Sequence, residues 1–380
     1  METNHRRSFF KKLGSSLVAT VGVVTGVNSL QSKSDMQIED QQKPIIEVKP
    51  MGFIWDTYDP FLFCVHHEDK FPVGNGEMGP EPQHLEGRSI GDDFIIRDGW
   101  RMYHGTAIPG FPGHPHRGFE TITVVREGFV DHSDSMGASG RYGEGDVQWM
   151  TAGRGVQHAE MFPLIHDDKE NPMELFQIWL NLPKKSKMVD PHFKMLWSKD
   201  IPRYQVQIGD QKGVEVEVIA GEIENHKAPS PAPNSWAADP QNEVAIFNVK
   251  IAPGATFILP KASLGINRTI YFYQGEKLNI GDQTITKYNL AKVRSEMTLE
   301  IENISDVDAK ILVLQGKPIN EPVMQYGPFV MNTKEEIHQA FDEFNKTKFG
   351  GWPWPSYDIV HDKNTGRFAK YADGTFEAGS

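Results

Sequence analysis

Two short stretches of the chain carry side chains that could bind a metal. The first is His114-Pro115-His116 and the second is His158-Ala159-Glu160, and each puts two possible ligands two residues apart. Residues i and i+2 of a β-strand face the same side, so two such strands lying side by side would bring four side chains to one point. Three imidazoles and one carboxylate suit a first-row transition metal such as Fe(II) better than calcium or magnesium.

A second carboxylate leaves the choice of ligand open. Glu120 follows His116 by four residues, so it has the same strand parity as the histidine pair. Glu160 shares the parity of the other pair. Both carboxylates together would crowd the coordination sphere and leave no open place for a substrate. The residues alone therefore offer either Glu160 or Glu120 as the acidic ligand.

The segments around these residues are typical of short strands joined by tight turns. A Gly/Pro-rich turn at 109–113 leads into His114, and the β-branched run TITVVR at 121–126 follows as a strand. The glycine-containing turn at 152–155 precedes a strand at 156–160. This pattern predicts two adjacent strands that present the histidines to a common interior.

Some residues near the predicted site have two plausible roles. Phe119 and Trp149 could line a pocket or pack in the core. His66 and His67 stand near the start of a Gly/Pro/Glu-rich stretch at 68–88, which is predicted to be a loop, and we expect them to be solvated loop histidines.

Other parts of the first half carry weaker signals. Further strands are predicted at 61–65, 92–96 and 100–104. The lysine-rich stretch at 184–187 and the turn residue Arg154 are expected to be solvent-exposed.

The second half of the chain also predicts strands, but no metal site. The run VEVEVIAG at 214–221 alternates as a half-exposed strand does, and turn signals recur about every ten residues. Where the first half has its histidine pair, this half has Leu-Pro-Lys-Ala at 259–262. A capping-box pattern formed by Thr333 and Glu336 predicts a helix over 332–350. The whole chain is therefore predicted to be mainly β with one C-terminal helix.

Several motifs together resemble the pirin family. They are HPHRGFETIT, GEGDVQWMTAGRGVQHAEM, FQIWLNLPKKSKM and EPVMQYGPFVMNTKEEIHQAF, and the resemblance covers about 53–349. It implies two tandem cupin-type β-barrels, a bicupin, with one mononuclear iron in the N-terminal barrel. By this resemblance the metal ligands are His114, His116, His158 and Glu160, and Glu120 has a supporting or structural role.

The composition of the N-terminal residues and this resemblance together divide the chain into six parts. They are an export signal at 1–30, a linker at 31–48, the metal-binding cupin domain at 49–200, a cupin domain without metal ligands at 201–331, a helix at 332–350 and a tail at 351–380.

Composition narrows the classes of partner. The net charge is −12, and the first 30 residues hold four basic residues against one acidic residue, so the body of the protein is more acidic still. An acidic body lacks the electrostatic footprint of a nucleic-acid-binding protein. The one cysteine, Cys64, lies in an apolar run and excludes both an intrachain disulfide and a cysteine-rich metal site.

The N-terminus resembles a twin-arginine export signal. Arg6 and Arg7 are followed by Phe9-Phe10-Lys11 and an apolar stretch. The protein is accordingly expected to be periplasmic or otherwise extracytoplasmic, without stable membrane insertion once the signal is removed. Because the twin-arginine route carries folded proteins, iron could be loaded before export.

The resemblance to the pirin family also implies a reaction. Three histidines and a glutamate leave open positions on a six-coordinate metal, where a bidentate substrate and dioxygen could meet. The expected activity is that of a quercetin 2,3-dioxygenase, with an aromatic flavonol, enediol or catechol as substrate and Glu160 as both ligand and base. Fe(II) is the expected metal, although other divalent transition metals tolerate the same ligands. The alternative is an exported metal-binding or redox-sensing protein without turnover.

Overall fold

A computed structural model describes residues 43–208 and 211–379. The predicted export signal at 1–30 and most of the predicted linker lie outside these residues. Within the described part, no helix combines the length and the apolar character that crossing a membrane requires.

The described chain is mainly β, as predicted. The first eleven strands are β1 (Ile45–Pro50), β2 (Ile54–Trp55), β3 (Phe61–Phe71), β4 (Gly110–His116), β5 (Phe119–Glu127), β6 (Phe129–Asp134), β7 (Ser139–Gly143), β8 (Val147–Thr151), β9 (Val156–Met161), β10 (Asn171–Asn181) and β11 (His192–Leu196). The next strands are β12 (Arg203–Ile208), β13 (Gln211–Ala220), β14 (Glu222–Ile223), β15 (His226–Lys227), β16 (Ala245–Ile251), β17 (Thr256–Leu259), β18 (Asn267–Gln274), β19 (Lys277–Ile280), β20 (Gln283–Thr286), β21 (Asn289–Arg294), β22 (Leu299–Asn303) and β23 (Ala309–Gly316). The last are β24 (Met324–Tyr326), β25 (Phe329–Met331), β26 (Phe368–Lys370) and β27 (Phe376–Ala378).

Two sheets build the first barrel. One has the order β11-β8-β5-β10-β3-β2, and the other has the order β27-β26-β7-β6-β9-β4. The second sheet holds both predicted ligand strands, β4 and β9, as antiparallel neighbours. Apolar side chains such as Phe71, Val125 and Phe162 form a buried core cluster of this barrel.

The second barrel combines a seven-stranded sheet with a four-stranded one. Their orders are β1-β21-β18-β23-β16-β13-β12 and β17-β22-β19-β20. The side chains that fill its core are aliphatic and aromatic, among them Val216, Phe257 and Ile311. Two tandem cupin-type barrels are therefore confirmed.

The two barrels pack against each other through the outer face of the β11-β8-β5-β10-β3-β2 sheet of the first barrel and the outer face of the seven-stranded sheet of the second. Ile122 and Ile178 of the first barrel join Ile246 and Leu312 of the second in one buried apolar cluster. Trp149 belongs to this cluster, so of its two possible roles the structure supports core packing. Burial of so many apolar side chains between the sheets stabilises the two barrels as a pair.

The C-terminal helix, α1 (Lys334–Thr347), begins where the capping box was predicted. The Thr333 hydroxyl accepts a hydrogen bond from the Glu336 amide at 3.2 Å, and the Glu336 carboxylate accepts one from the Thr333 amide at 3.0 Å. A short 3₁₀ turn, Lys348–Gly350, completes the predicted segment.

Three predictions about the elements were wrong. Residues 45–48, assigned to the linker, belong to β1, because their apolar β-branched side chains complete the edge of the second barrel beside β21. The predicted strands at 92–96 and 100–104 are not strands: this long loop has the isolated bridges Asp93–Tyr103, Arg97–Trp100 and Tyr103–Gly110 instead. The predicted loop at 68–88 starts later, because β3 continues to Phe71.

Candidate metal centre

The pairing of β4 with β9 brings the three predicted histidines together. His114 lies directly opposite His158, and His116 follows on the same face of β4. Ligand nitrogens of the three imidazoles all lie within 4.8 Å of one another. In the described part of the chain, this is the compact group of side chains that could hold a metal ion.

The hydrogen bonding of these imidazoles fits a metal. Nδ1 of His116 and both ring nitrogens of His158 are buried without a hydrogen-bond partner. His114 Nδ1 lies 3.0 Å from the carbonyl oxygen of Pro112, a contact that orients its ring. A buried nitrogen without a partner costs free energy, and coordination to a divalent ion would remove that cost. We therefore conclude that the donor set fits a divalent transition metal.

The protonation state of the histidines also fits metal binding. Burial, with further contributions from neighbouring histidines, holds the pKa of His158 well below its usual value. Burial and the proximity of His114 do the same for the pKa of His116. Both imidazoles are therefore neutral near pH 7, and the neutral ring is the form that binds metals.

Glu160 lies beside the histidine triad with its carboxylate held in place. One carboxylate oxygen is 3.6 Å from Nε2 of His158. The Thr123 hydroxyl donates to Oε1 at 2.9 Å, and the Gln177 amide donates to Oε2 at 2.9 Å. Burial raises the pKa of Glu160. These contacts come from β5 and β10 of the opposite sheet, so the carboxylate is positioned by both sheets.

Glu120 makes its contacts elsewhere. Its carboxylate accepts hydrogen bonds from the hydroxyl groups of Thr151 at 2.7 Å and Ser235 at 2.5 Å. Ser235 precedes a short 3₁₀ turn in the second half of the chain, so Glu120 links the two barrels. Burial raises its pKa to about 7. Of the two candidate carboxylates, Glu160 is the one whose contacts place it beside the triad.

Aromatic side chains form a wall beside His116. The rings of Phe119 and Trp179 lie 5.1 and 5.4 Å from the His116 ring, and they lie 4.3 Å from each other. Phe63 extends this wall at 4.8 Å from Trp179. Trp179 Nε1 is buried without a hydrogen-bond partner. Phe119 was predicted to line the pocket or pack in the core, and it contacts both His116 and the buried residues Trp179 and Val330.

Sequence reasoning missed a fourth histidine next to the triad. His132 lies on β6 opposite Glu160, and its ring is 5.7 Å from that of His158. Its Nε2 is 3.2 Å from the carboxylate of Asp134, and its ring stacks on Phe193 at 4.9 Å. The His-x-Asp spacing of 132–134 repeats the i, i+2 pattern of the ligand pairs and could have identified it. Thr123 and Gln177 had no such signal.

The expectation that His66 and His67 are solvated was wrong. Both belong to β3. His67 is buried, with Nδ1 2.7 Å from the hydroxyl oxygen of Tyr103. His66 Nε2 is 3.1 Å from the carboxylate of Glu174 on the neighbouring strand. These partners lie far away in the chain, which is why local composition suggested a loop.

The lysine-rich stretch at 184–187 was also predicted incorrectly in part. Lys187 is buried, and its Nζ donates to the Gly118 carbonyl at 2.8 Å and to the Asn181 side chain at 2.7 Å. Burial lowers its pKa to about 8. Arg154 pairs with Asp190 on the surface, and both side chains are mostly exposed, as expected for Arg154.

Comparison with known proteins agrees with this geometry. The family described as Pirin matches residues 54–180, and the family described as Pirin C-terminal cupin domain matches residues 246–350. Human pirin is 36% identical over 275 residues, which are 69% of this chain and 87% of human pirin.

Two bacterial proteins extend the comparison. A Pseudomonas aeruginosa protein whose name provisionally assigns it as a quercetin 2,3-dioxygenase is 39% identical over 243 residues, 63% of this chain and 79% of its own length. The crystal structure of a protein named quercetin 2,3-dioxygenase from Acinetobacter baumannii superposes with a TM-score of 0.61 at 29% identity. That match covers 81% of this chain and 96% of the other.

Proposed function

The chain belongs to the pirin family, and we propose that it is a metal-dependent dioxygenase that opens flavonols such as quercetin or related enediols and catechols. The observation that carries the proposal is the histidine triad, in which His116 and His158 have buried nitrogens without a hydrogen-bond partner, beside a carboxylate held by two hydrogen bonds. Relatives and a solved structure whose names refer to quercetin 2,3-dioxygenase support the choice of reaction.

We assign Fe(II) as the metal and His114, His116, His158 and Glu160 as its ligands. A bound metal of this kind would supply the Lewis acidity and redox chemistry that a reaction of the substrate with dioxygen requires. Manganese, nickel, cobalt, copper and zinc also accept nitrogen and oxygen ligands of this kind, so metal content has to be measured.

Glu160 is suited to handle a proton. Thr123 and Gln177 fix the orientation of its carboxylate, and burial raises its pKa, so the ionised carboxylate is a stronger base than an exposed glutamate. In the proposed reaction a carboxylate oxygen of Glu160 accepts the hydroxyl proton of the substrate as it binds. The substrate is then anionic, the form in which an enediol or catechol is easily oxidised.

The aromatic wall suits a flat substrate. Phe119, Trp179 and Phe63 lie side by side next to His116 and form an apolar surface on one flank of the triad. Aromatic rings of a flavonol would pack on this wall. The unpartnered Nε1–H of Trp179 is available to donate to a substrate oxygen.

Export through the twin-arginine route is part of the proposal. It rests on Arg6, Arg7 and the apolar stretch that follows them. Replacing both arginines by lysine should retain the protein in the cytoplasm, as measured by cell fractionation. Equal periplasmic amounts of the wild type and this variant would exclude the route.

The first test is oxygen consumption by the Fe(II)-loaded protein with quercetin. Uptake should require the substrate and should disappear in His116→Ala, which should also lose bound iron, as should His158→Ala. His84→Ala, which changes an exposed histidine, is the matched control and should keep both the iron and the activity. Full iron occupancy in His116→Ala and His158→Ala would refute the ligand assignment. Bound iron in the wild type without oxygen uptake on quercetin or a panel of catechols and enediols would favour the metal-binding or sensing alternative.

A further inference from the structure

A C-terminal segment covers the outside of the strands that carry the triad. We call residues 328–357 the C-terminal clamp; they comprise β25, α1 and the start of the tail. At the turn between β4 and β5, the Val330 amide donates to the Arg117 carbonyl at 3.0 Å. The Lys187 ammonium group donates to both the Gly118 and the Val330 carbonyl groups, at 2.8 and 3.2 Å. The residues that directly follow His116 are thus tied to the clamp.

Arg117 connects the clamp with both ligand strands. Its side chain is buried, and Nε donates to the Arg154 carbonyl, in the turn before β9, at 2.6 Å. One terminal nitrogen donates to the Glu343 carboxylate of α1 at 2.5 Å. The guanidinium group also lies over the ring of Phe349 at 4.5 Å. The Glu343 side chain is 36% exposed, but because the guanidinium that it contacts is buried, this charge-assisted hydrogen bond restricts the position of Arg117.

The clamp also contacts β9 directly. Gln157, the neighbour of His158, faces away from the triad, and its amide donates to the carbonyl groups of Lys348 and Gly351 at 2.7 and 2.9 Å. Gly155 has φ of +134°, and a Cβ there would lie only 2.7 Å from the Phe349 ring. A side chain at this position would therefore push the clamp away from the strand.

The tail end of the clamp reaches β4. The amide of Gly113, the neighbour of His114, donates to the Tyr357 carbonyl at 2.7 Å. Trp352 stacks on Tyr357 at 5.1 Å, and the Trp354 indole donates to the Asp134 carbonyl at 2.7 Å. Each ligand histidine therefore has a near neighbour in the chain whose backbone or side chain is bonded to the clamp.

We propose that Glu343, acting through Arg117, is a positioning residue for the histidine triad, and that metal binding and ordering of the C-terminal clamp are thermodynamically linked. Metal ligands have to be held within about half an ångström of their working geometry, and here much of that support comes from outside the barrel. If the clamp favours the metal-binding geometry, the metal must stabilise the clamp by the same free energy. The inference rests on the proposed function only in requiring a metal at the triad, and it does not require turnover.

The test uses the full-length metal-free protein and Co²⁺, whose visible absorption reports binding and coordination. Glu343→Gln removes the charge that holds Arg117 and keeps the size of the side chain. We expect Co²⁺ to bind about three- to tenfold more weakly, with faster release to a chelator. Asp342→Asn, which removes the neighbouring exposed charge of the same helix, should bind Co²⁺ as the wild type does.

Amide hydrogen exchange tests the reverse direction of the linkage. Co²⁺ should slow exchange in β25 and α1 of the wild type and of Asp342→Asn, and should do so less in Glu343→Gln. Unchanged Co²⁺ affinity in Glu343→Gln would overturn the proposal, as would weaker binding accompanied by an equal loss in Asp342→Asn. A fall in the melting temperature of metal-free Glu343→Gln with wild-type affinity would show a purely structural contact and would also overturn it.

These outcomes are separable from those of the proposed function. A wild type that binds Co²⁺ but consumes no oxygen with quercetin would refute the dioxygenase and leave the Glu343 effect standing. A wild type that binds no Co²⁺ would overturn both the metal assignment and the role of Glu343.

Discussion

The two barrels order their strands in the same way but fill their interiors differently. In the first barrel β4, β9, β6 and β7 are successive neighbours, and in the second β17, β22, β19 and β20 follow the same sequence. The other sheet of each barrel corresponds as well, with β8-β5-β10-β3 matched by β21-β18-β23-β16. The strand that presents the histidine pair thus has a counterpart, β17, in the second barrel.

The difference lies in a few inward-facing residues. In the first barrel, β4 and β9 pair His114 with His158. Their counterparts β17 and β22 pair Leu259 with Leu299. The buried residues that alternate along these two strands are the apolar Phe257, Leu259, Leu299 and Ile301, with the polar Asn303 at the end of β22. The strand order sets where side chains point, and the residue type at these positions decides whether the interior is a core or a site.

The two interiors contribute differently to the free energy of folding. Apolar side chains gain free energy when the second barrel folds around them. In the first barrel, buried imidazole nitrogens without partners cost free energy until a metal binds. We therefore expect the second barrel to contribute chiefly to the stability of the protein. The first barrel is expected to be less stable without a metal, because its interior is built to bind one.

The largest effect should come from the core of the second barrel. Phe257 is fully buried there, opposite Ile301, and Phe257→Ala should lower the free energy of unfolding by about 3–5 kcal/mol because a cavity remains. Chemical denaturation measures the loss. Ile258→Ala, on the exposed face of the same strand, should change stability by no more than about 0.5 kcal/mol. Co²⁺ affinity of the folded protein should stay unchanged in both variants. A parallel loss of affinity in Phe257→Ala would show that the interiors are not independent.

The next effect concerns the contact between the barrels. Glu120 is fully buried and its pKa is raised to about 7, so folding favours its protonated form. Because the pKa of an unfolded glutamate is lower, this group costs stability above pH 7, and the cost disappears as the pH falls through 7 toward the unfolded value. Glu120→Gln should therefore gain stability relative to the wild type, by up to about 3 kcal/mol more at pH 8 than at pH 5.

Denaturation at the two pH values measures this difference. Glu300→Gln, an exposed glutamate of β22, is the control and should show no such dependence. An equal effect of Glu120→Gln at pH 5 and pH 8 would mean that Thr151 and Ser235 stabilise the ionised carboxylate fully in the folded protein.

Local patterns in the sequence predicted the residues that face inward. The i, i+2 spacing of His114 with His116 and of His158 with Glu160 depends only on strand geometry, and the structure brings the three histidines together with Glu160 beside them. The apolar alternation at 214–221 predicted the second barrel for the same reason. In both cases the information lies within a few consecutive residues.

Partners that lie far apart in the chain could not be predicted in this way. The sequence predicted Lys187 to be one of three solvated lysines, yet its ammonium group donates hydrogen bonds to Gly118, Asn181 and Val330. His67 likewise finds Tyr103, which belongs to a loop without regular strands. A buried polar residue depends on partners supplied by the tertiary fold, and spacing in a single sequence does not reveal them.

The smallest expected change in stability comes from a substitution that makes the interior of the first barrel more like that of the second. His158→Leu gives the first barrel the residue that the second barrel has in its corresponding pair, and it should abolish metal binding. Without metal, chemical denaturation in EDTA should show a gain of about 1 kcal/mol, because two unpartnered nitrogens leave the interior while a slightly different shape has to be packed.

Adding Co²⁺ should reverse the sign of this comparison. The wild type then gains RT ln(1 + [Co²⁺]/Kd), about 2.7 kcal/mol at a hundredfold excess over Kd, whereas His158→Leu gains nothing. If the variant were instead less stable than the wild type in EDTA, the imidazole of His158 would have to find its hydrogen-bond partners within the barrel itself. The polar interior would then be a stable core in its own right, and binding of a metal would no longer account for its difference from the second barrel.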